Sequence, residues 1–165
     1  MDSGGSASGM RFVHVNLVAR DWRGLARFYE EVFGCRPVPP ERDYRGPALE
    51  AGTAVAGASL HGAHLRLPGG GERGPTLEIF QYDPTLAHQP GPVNRTGFGH
   101  IAFLTRDVSR TRQVVLEHGG SSVGDVVTLA TADGRRVTWA YVRDPEGNVL
   151  ELQSWTSPDG SPSDP

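Results

Sequence analysis

The chain has 165 residues, a net charge of −3, 37% hydrophobic and 21% charged residues, the balance of one ordinary domain or of two small modules around one core. That balance excludes a disordered tail and a basic nucleic-acid binder, and no apolar run approaches the ~20 residues of a membrane span. The opening MDSGGSASG has neither the basic nor the apolar part of a signal peptide, and the single Cys35 can form no internal disulfide, so a reducing cytoplasm is the expected compartment.

Residues 1–10 are small and polar and are expected to be disordered, as is the tail at 156–165. The first strand reads Phe12 to Val18, with Val13, Val15 and Leu17 on one face and His14 and Asn16 on the other. Asp21 is a good N-cap for a helix to about Phe33, in which Leu25, Phe28, Tyr29 and Val32 form the buried stripe and Gly34 is the stop. Between Arg45 and Pro75 the chain is glycine-rich, with strand-like pieces at about 48–55 and 60–67 and a turn at Pro68-Gly69-Gly70-Gly71. Thr76 to Tyr82 is a further strand, placing Leu77 and Ile79 on one side and Glu78 and Phe80 on the other. A spacer rich in proline and glycine, residues 84–96, follows. Gly99 to Thr105 is then a strand, Asp107 an N-cap, Val108 to His118 a helix, and Gly119-Gly120 its stop. Strands at about 137–143 and 148–154 are joined by the turn Asp144-Pro145-Glu146-Gly147.

The second half repeats the first. His14, Arg20, Asp21 and Gly34 recur 86 positions later as His100, Arg106, Asp107 and Gly120, and Leu77-Glu78-Ile79 recurs 73 positions later as Leu150-Glu151-Leu152. The chain is thus expected to be an internal duplication, module one at 11–83 and module two at 97–155, each a strand, a helix and three strands.

Each half offers one histidine on its first strand and one glutamate on its last, all between apolar neighbours. Alternation puts His14, Glu78, His100 and Glu151 on the face opposite the helix-packed one. If the sheets curl, that face is a pocket in which two imidazoles and two carboxylates suit a divalent transition ion. His64 shares the concavity by alternation with Ala63 and Leu65, Asn16 shares the face of His14, and Phe80 lies on the Glu78 side; these three are the candidate substrate-binding residues. Cys35 reads as packed, His61, His88 and His118 as surface, and Arg20 and Arg106 as solvated.

The runs His14-Val-Asn-Leu-Val-Ala-Arg20-Asp21, Phe28-Tyr29-Glu-Glu-Val-Phe-Gly34, Gly99-His100-Ile-Ala-Phe and Asp144-Pro145-Glu-Gly147-Asn148-Val-Leu-Glu151-Leu resemble the vicinal oxygen chelate (glyoxalase/bleomycin resistance protein/dioxygenase) superfamily over about residues 11–155. The resemblance implies an α+β fold of two tandem βαβββ modules, forming a cupped mixed sheet with the helices outside. It implies one divalent metal ion per site (Ni, Co, Zn, Mn or Fe) on His14, Glu78, His100 and Glu151, a small-molecule substrate, and a homodimer. The chemistry implied is that of a lyase or isomerase of the glyoxalase or epimerase kind. An α-proton leaves a substrate chelated through two neighbouring oxygens, the enediolate is stabilised by the metal, and Glu151 or Glu78 moves the proton. A glyoxalase I carries the full His/Glu/His/Glu set, but its glutathione-binding arginine on the first strand falls at Val18 here. The alternatives are an extradiol-type dioxygenase with iron in the same site and a binding or antibiotic-resistance protein without turnover.

Overall fold

The computed structural model describes residues 9–87 and 89–165; the expected disordered start, up to residue 8, and His88 lie outside them. The elements are β1 (His14–Val18), α1 (Trp22–Phe33), β2 (Arg36–Arg45), α2 (Pro47–Thr53), β3 (Ser59–Arg66), β4 (Thr76–Asp83), β5 (Ile101–Leu104), α3 (Val108–Glu117), β6 (Ser121–Ser122), β7 (Val127–Ala130), β8 (Arg136–Arg143), β9 (Val149–Thr156) and β10 (Pro162–Ser163). They form two mixed sheets, one per half. The first runs β1-β4-β3-β2; in the second, β9 carries β5, β8 and β10, and β8 carries β6 and β7. β1 lies parallel to β4 and β5 parallel to β9, and the other pairings are antiparallel. The duplication extends to register: Asn16 faces Glu78 across β1–β4, and Ala102, 86 positions on, faces Glu151 across β5–β9.

Both long helices begin where the caps require. The Asp21 carboxylate accepts from Gly24 N and the Asp107 carboxylate from Arg110 N, each satisfying a donor the helix leaves open. Gly34 ends α1 in the left-handed conformation, φ 67°. One face of each sheet packs under these helices in a shared core that includes Leu25, Phe28, Tyr29, Leu65, Leu77, Ile79, Phe103, Val115, Val142, Leu150 and Leu152. The halves are tied together directly. Phe33 stacks on Phe103 at 4.0 Å between ring centroids. Glu146 accepts from Arg20 N, Arg20 Nε and Asp21 N, so Arg20 is paired across the halves rather than simply solvated. The buried Tyr29 hydroxyl donates to Asp144 Oδ2 at 2.9 Å. Burial pushes the Asp144 carboxyl up, and hydrogen bonds from Asn148, Tyr29 and Glu146 pull it back in part.

Two expectations are corrected, and residues 36–45, for which no element was expected, form a strand. The piece at 48–55 is a helix, α2, not a strand: Pro47 sits in its first turn, where a missing N–H costs nothing, and Ala48, Leu49, Glu50 and Ala51 are good helix formers. The prolines at 37, 39 and 40 disguise the strand at 36–45; β2 is an edge strand, where proline is tolerated, and its pairing with β3 shifts register between Val38 and Arg42. The tail is structured: Ser157 N donates to Ser161 O at 2.8 Å, and Pro162 and Ser163 pair with Thr156 and Trp155. Among the described residues no helix is long and apolar enough to cross a membrane.

Candidate metal centre

The sheet faces turned away from the helices carry the polar groups. On β4, Leu77 and Ile79 point into the core and Glu78 points out, its side chain keeping 12% exposure. Three neighbours converge on that carboxylate. His64, directly across on β3, places Nε2 2.9 Å from Oε1; Asn16, directly across on β1, donates from Nδ2 to Oε2 at 2.9 Å; and His14 Nε2 lies 3.5 Å from Oε2. The ligand atoms of His14, His64 and Glu78 all lie within 4.8 Å of one another.

Two imidazoles and one carboxylate at that spacing fit a divalent transition ion, with positions left for water or substrate. The surroundings favour the form a ligand needs. Burial pulls the His64 imidazole below its ordinary range, and Arg42 and His14 lower it further against the pull of Glu78, which keeps the ring neutral. His64 Nδ1 is engaged by Thr76 Oγ1 at 2.9 Å, which fixes the ring and leaves Nε2 for the centre.

His100 and Glu151 form a second pair, Nε2 to Oε2 2.9 Å. Here the equivalent positions have diverged: Tyr141 stands across from Glu151 where His64 stands across from Glu78, and Ala102 stands where Asn16 does. The Tyr141 ring lies 5.1 Å from that of His100, and Trp139 lies 4.9 Å from Tyr141. Burial, then the Glu151 charge, raises the Tyr141 hydroxyl's pKa. His14 and His100 both line one cleft of about 810 Å³ between the halves, together with Asn16, Val18, Phe12 and Phe98.

The four residues expected as one ligand set thus stand in a single chain as two groups, His14 with Glu78 and His100 with Glu151. His64, expected among the substrate-binding residues, belongs to the first group. Its signal was present in the alternation of β3, but only the pairing with β4 shows that it faces Glu78. Asn16 steadies Glu78. Phe80 is nearly buried, its ring edge-on to His64 at 6.2 Å, so it backs the histidine and offers little surface to a substrate. Cys35 is buried, and burial, then the Glu30 charge, pushes its thiol up to about 11. His61 and His118 lie at the surface beside Asp43 and Glu31.

A family model described as the Glyoxalase/Bleomycin resistance protein/Dioxygenase superfamily matches residues 11–152. The chain belongs to this superfamily. It is 29% identical over 143 residues to a putative lactoylglutathione lyase of Brassica oleracea var. gemmifera, and equally to a lactoylglutathione lyase of Arabidopsis thaliana. The match covers 86% of this chain and 43% of each plant protein, so the chain spans less than half the length of these relatives. Among solved structures, a glyoxalase family protein from Bacillus cereus superposes with a TM-score of 0.74 at 21% identity, covering 92% of this chain and 97% of that one. That likeness shows the fold. Among the described residues His14, His64 and Glu78 form a group that could hold a metal ion.

Proposed function

We propose that this member of the glyoxalase superfamily is a divalent-metal-dependent lyase or isomerase that moves a proton on a small substrate bearing two neighbouring oxygens. The observation that carries the reading is the group His14–His64–Glu78, with ligand atoms within 4.8 Å of one another on a face turned away from the core. When bound there, a divalent ion supplies Lewis-acid stabilisation of negative charge on substrate oxygen, worth several kcal/mol.

The protein's own groups divide the remaining work. Glu78 is held by three partners and is suited to stay in place. Glu151 has His100 as its partner, at 18% side-chain exposure, and is the residue proposed to take the proton from carbon and return it to the adjacent atom. His100 Nε2 orients that carboxylate. The cleft lined by His14 and His100 admits the substrate, and the exposed apolar residues around it, Phe12, Val18 and Phe98, support pairing into a homodimer.

A second arrangement, in which His14, Glu78, His100 and Glu151 all hold one ion, is favoured by the matching register of the two half-sites. For the chemistry, the two-histidine, one-carboxylate donor set also suits ferrous iron in an oxygenase, and the metal bound after anaerobic purification separates that reading from proton transfer. The proton reading is tested by exchange at the α-carbon of α-hydroxycarbonyl and acyl-thioester probes in D2O, followed by NMR. Glu151→Gln, with its metal retained, is expected to lower the exchange rate about 10²–10⁴-fold. Full exchange in Glu151→Gln, with metal retained, would overturn it.

A further inference from the structure

Beside His64, and separate from the cleft between the halves, lies a cavity of about 320 Å³. Four arginines line it: Arg11 ahead of β1, Arg42 on β2, Arg66 at the end of β3, and Arg73 in the β3–β4 turn. Glu72 is the one acidic residue in the lining, so the cavity is strongly cationic in a chain whose net charge is −3. Among the described residues none of the four arginines is ion-paired; the arginines that are, Arg20, Arg23, Arg45 and Arg135, lie elsewhere. Three spend one guanidinium nitrogen on a backbone carbonyl: Arg11 on Arg73 O, Arg42 on Pro40 O and Arg66 on Glu72 O. These bonds leave most of the five N–H donors of each group unspent.

The position matters as much as the charge. His64 and Thr76 line this cavity, while His14 lines the large cleft and Phe12 lines both. The group His14–His64–Glu78 therefore sits between an apolar-rimmed cleft and a cationic cavity. We propose that the arginine cavity is the subsite for an anionic arm, a phosphate or a carboxylate, on the substrate whose vicinal oxygens meet the His14–His64–Glu78 group. This rests on the metal-centre reading for its second half only. Guanidinium forks match both anions with paired, charge-assisted hydrogen bonds, and binding an arm away from the reacting atoms orients those atoms.

The test uses three hydroxamates, each presenting the same two neighbouring oxygens, titrated into the cobalt(II)-loaded full chain and read by calorimetry and by the cobalt visible spectrum. Acetohydroxamate has a neutral methyl, phosphoglycolohydroxamate a phosphate arm, and succinic monohydroxamate a carboxylate arm. One of the two anionic probes is expected to bind at least about tenfold more tightly than acetohydroxamate, which also identifies the anion. Arg66→Met should remove most of that advantage and leave acetohydroxamate affinity unchanged; Arg42→Met, whose guanidinium also acts on His64, should remove most of the advantage, and Arg73→Met, in an exposed turn, provides a variant that does not touch a strand. Equal affinity of all three probes, or an advantage that survives all three substitutions, would overturn the subsite. Failure of the metal reading looks different: acetohydroxamate leaves the cobalt spectrum unchanged. In that event inorganic pyrophosphate on the metal-free chain reads the cavity alone, with arginine-dependent binding supporting it and no binding refuting it.

Discussion

Asp144 joins the two halves through a single carboxylate. Its carboxylate is 2% exposed and accepts from Glu146 N at 3.0 Å, from Asn148 N and Nδ2 at 2.9 Å each, and from the Tyr29 hydroxyl at 2.9 Å. Asp144→Ala leaves all four donors without that partner. The two turn amides can recruit water, but the Tyr29 hydroxyl is fully buried. At ~1–3 kcal/mol for each donor left unsatisfied, the Tyr29 hydroxyl and the part-buried Asn148 amide together put the loss at about 2–6 kcal/mol, a large share of a typical domain's stability. Tyr29→Phe removes one donor and leaves the carboxylate three, for about 1–1.5 kcal/mol. In the double variant the orphaned hydroxyl no longer exists, so the two losses should fall short of additivity by about 1 kcal/mol. Urea unfolding of the four proteins at pH 7, followed by circular dichroism, measures all of this. A loss below about 1 kcal/mol for Asp144→Ala, or strict additivity, would refute the claim that this buried pair joins α1 to the β8–β9 turn.

Gly62 faces Phe80 across β3–β4, and a methyl there would run into the Ile79 carbonyl and the Phe80 ring. Gly62→Ala should therefore destabilise the fold by about 1–3 kcal/mol and weaken metal binding by moving His64 from Glu78; equilibrium unfolding and metal titration check both. Cys35, with its thiol pushed up to about 11, should be about 0.1% thiolate at pH 8. It should resist a disulfide reagent in the native chain, react faster as pH rises toward that value, and react at once in denaturant; rapid labelling of the native protein would contradict its burial.

The strand–cap–helix starts were legible because each rests on local chemistry: Asp21 and Asp107 as caps, Gly34 as a left-handed stop, and alternation around His14 and Glu78. The duplication was legible because the repeat spacing is arithmetic. What local pattern could not show was pairing. The prolines of β2 conceal a strand whose edge position tolerates them, and the 48–55 piece has an apolar content that suits either a strand or the helix it forms. His64 was visible as a residue facing the concavity, yet its place at Glu78 depends on the β3–β4 register. The divergence of the second module, Tyr141 for His64 and Ala102 for Asn16, likewise emerges only once both sheets are in register.

The central claim is that His14, His64 and Glu78 make the metal centre, and the most direct measurement is divalent metal per chain, with affinity, in three variants beside the parent protein. The account predicts one ion per chain in the parent, a loss of affinity of more than about tenfold in His64→Ala and Glu78→Gln, and near-parent binding in His100→Ala. Full retention of the ion in His64→Ala, together with its loss in His100→Ala, would contradict the account and assign the ion to the four-residue set spanning both halves.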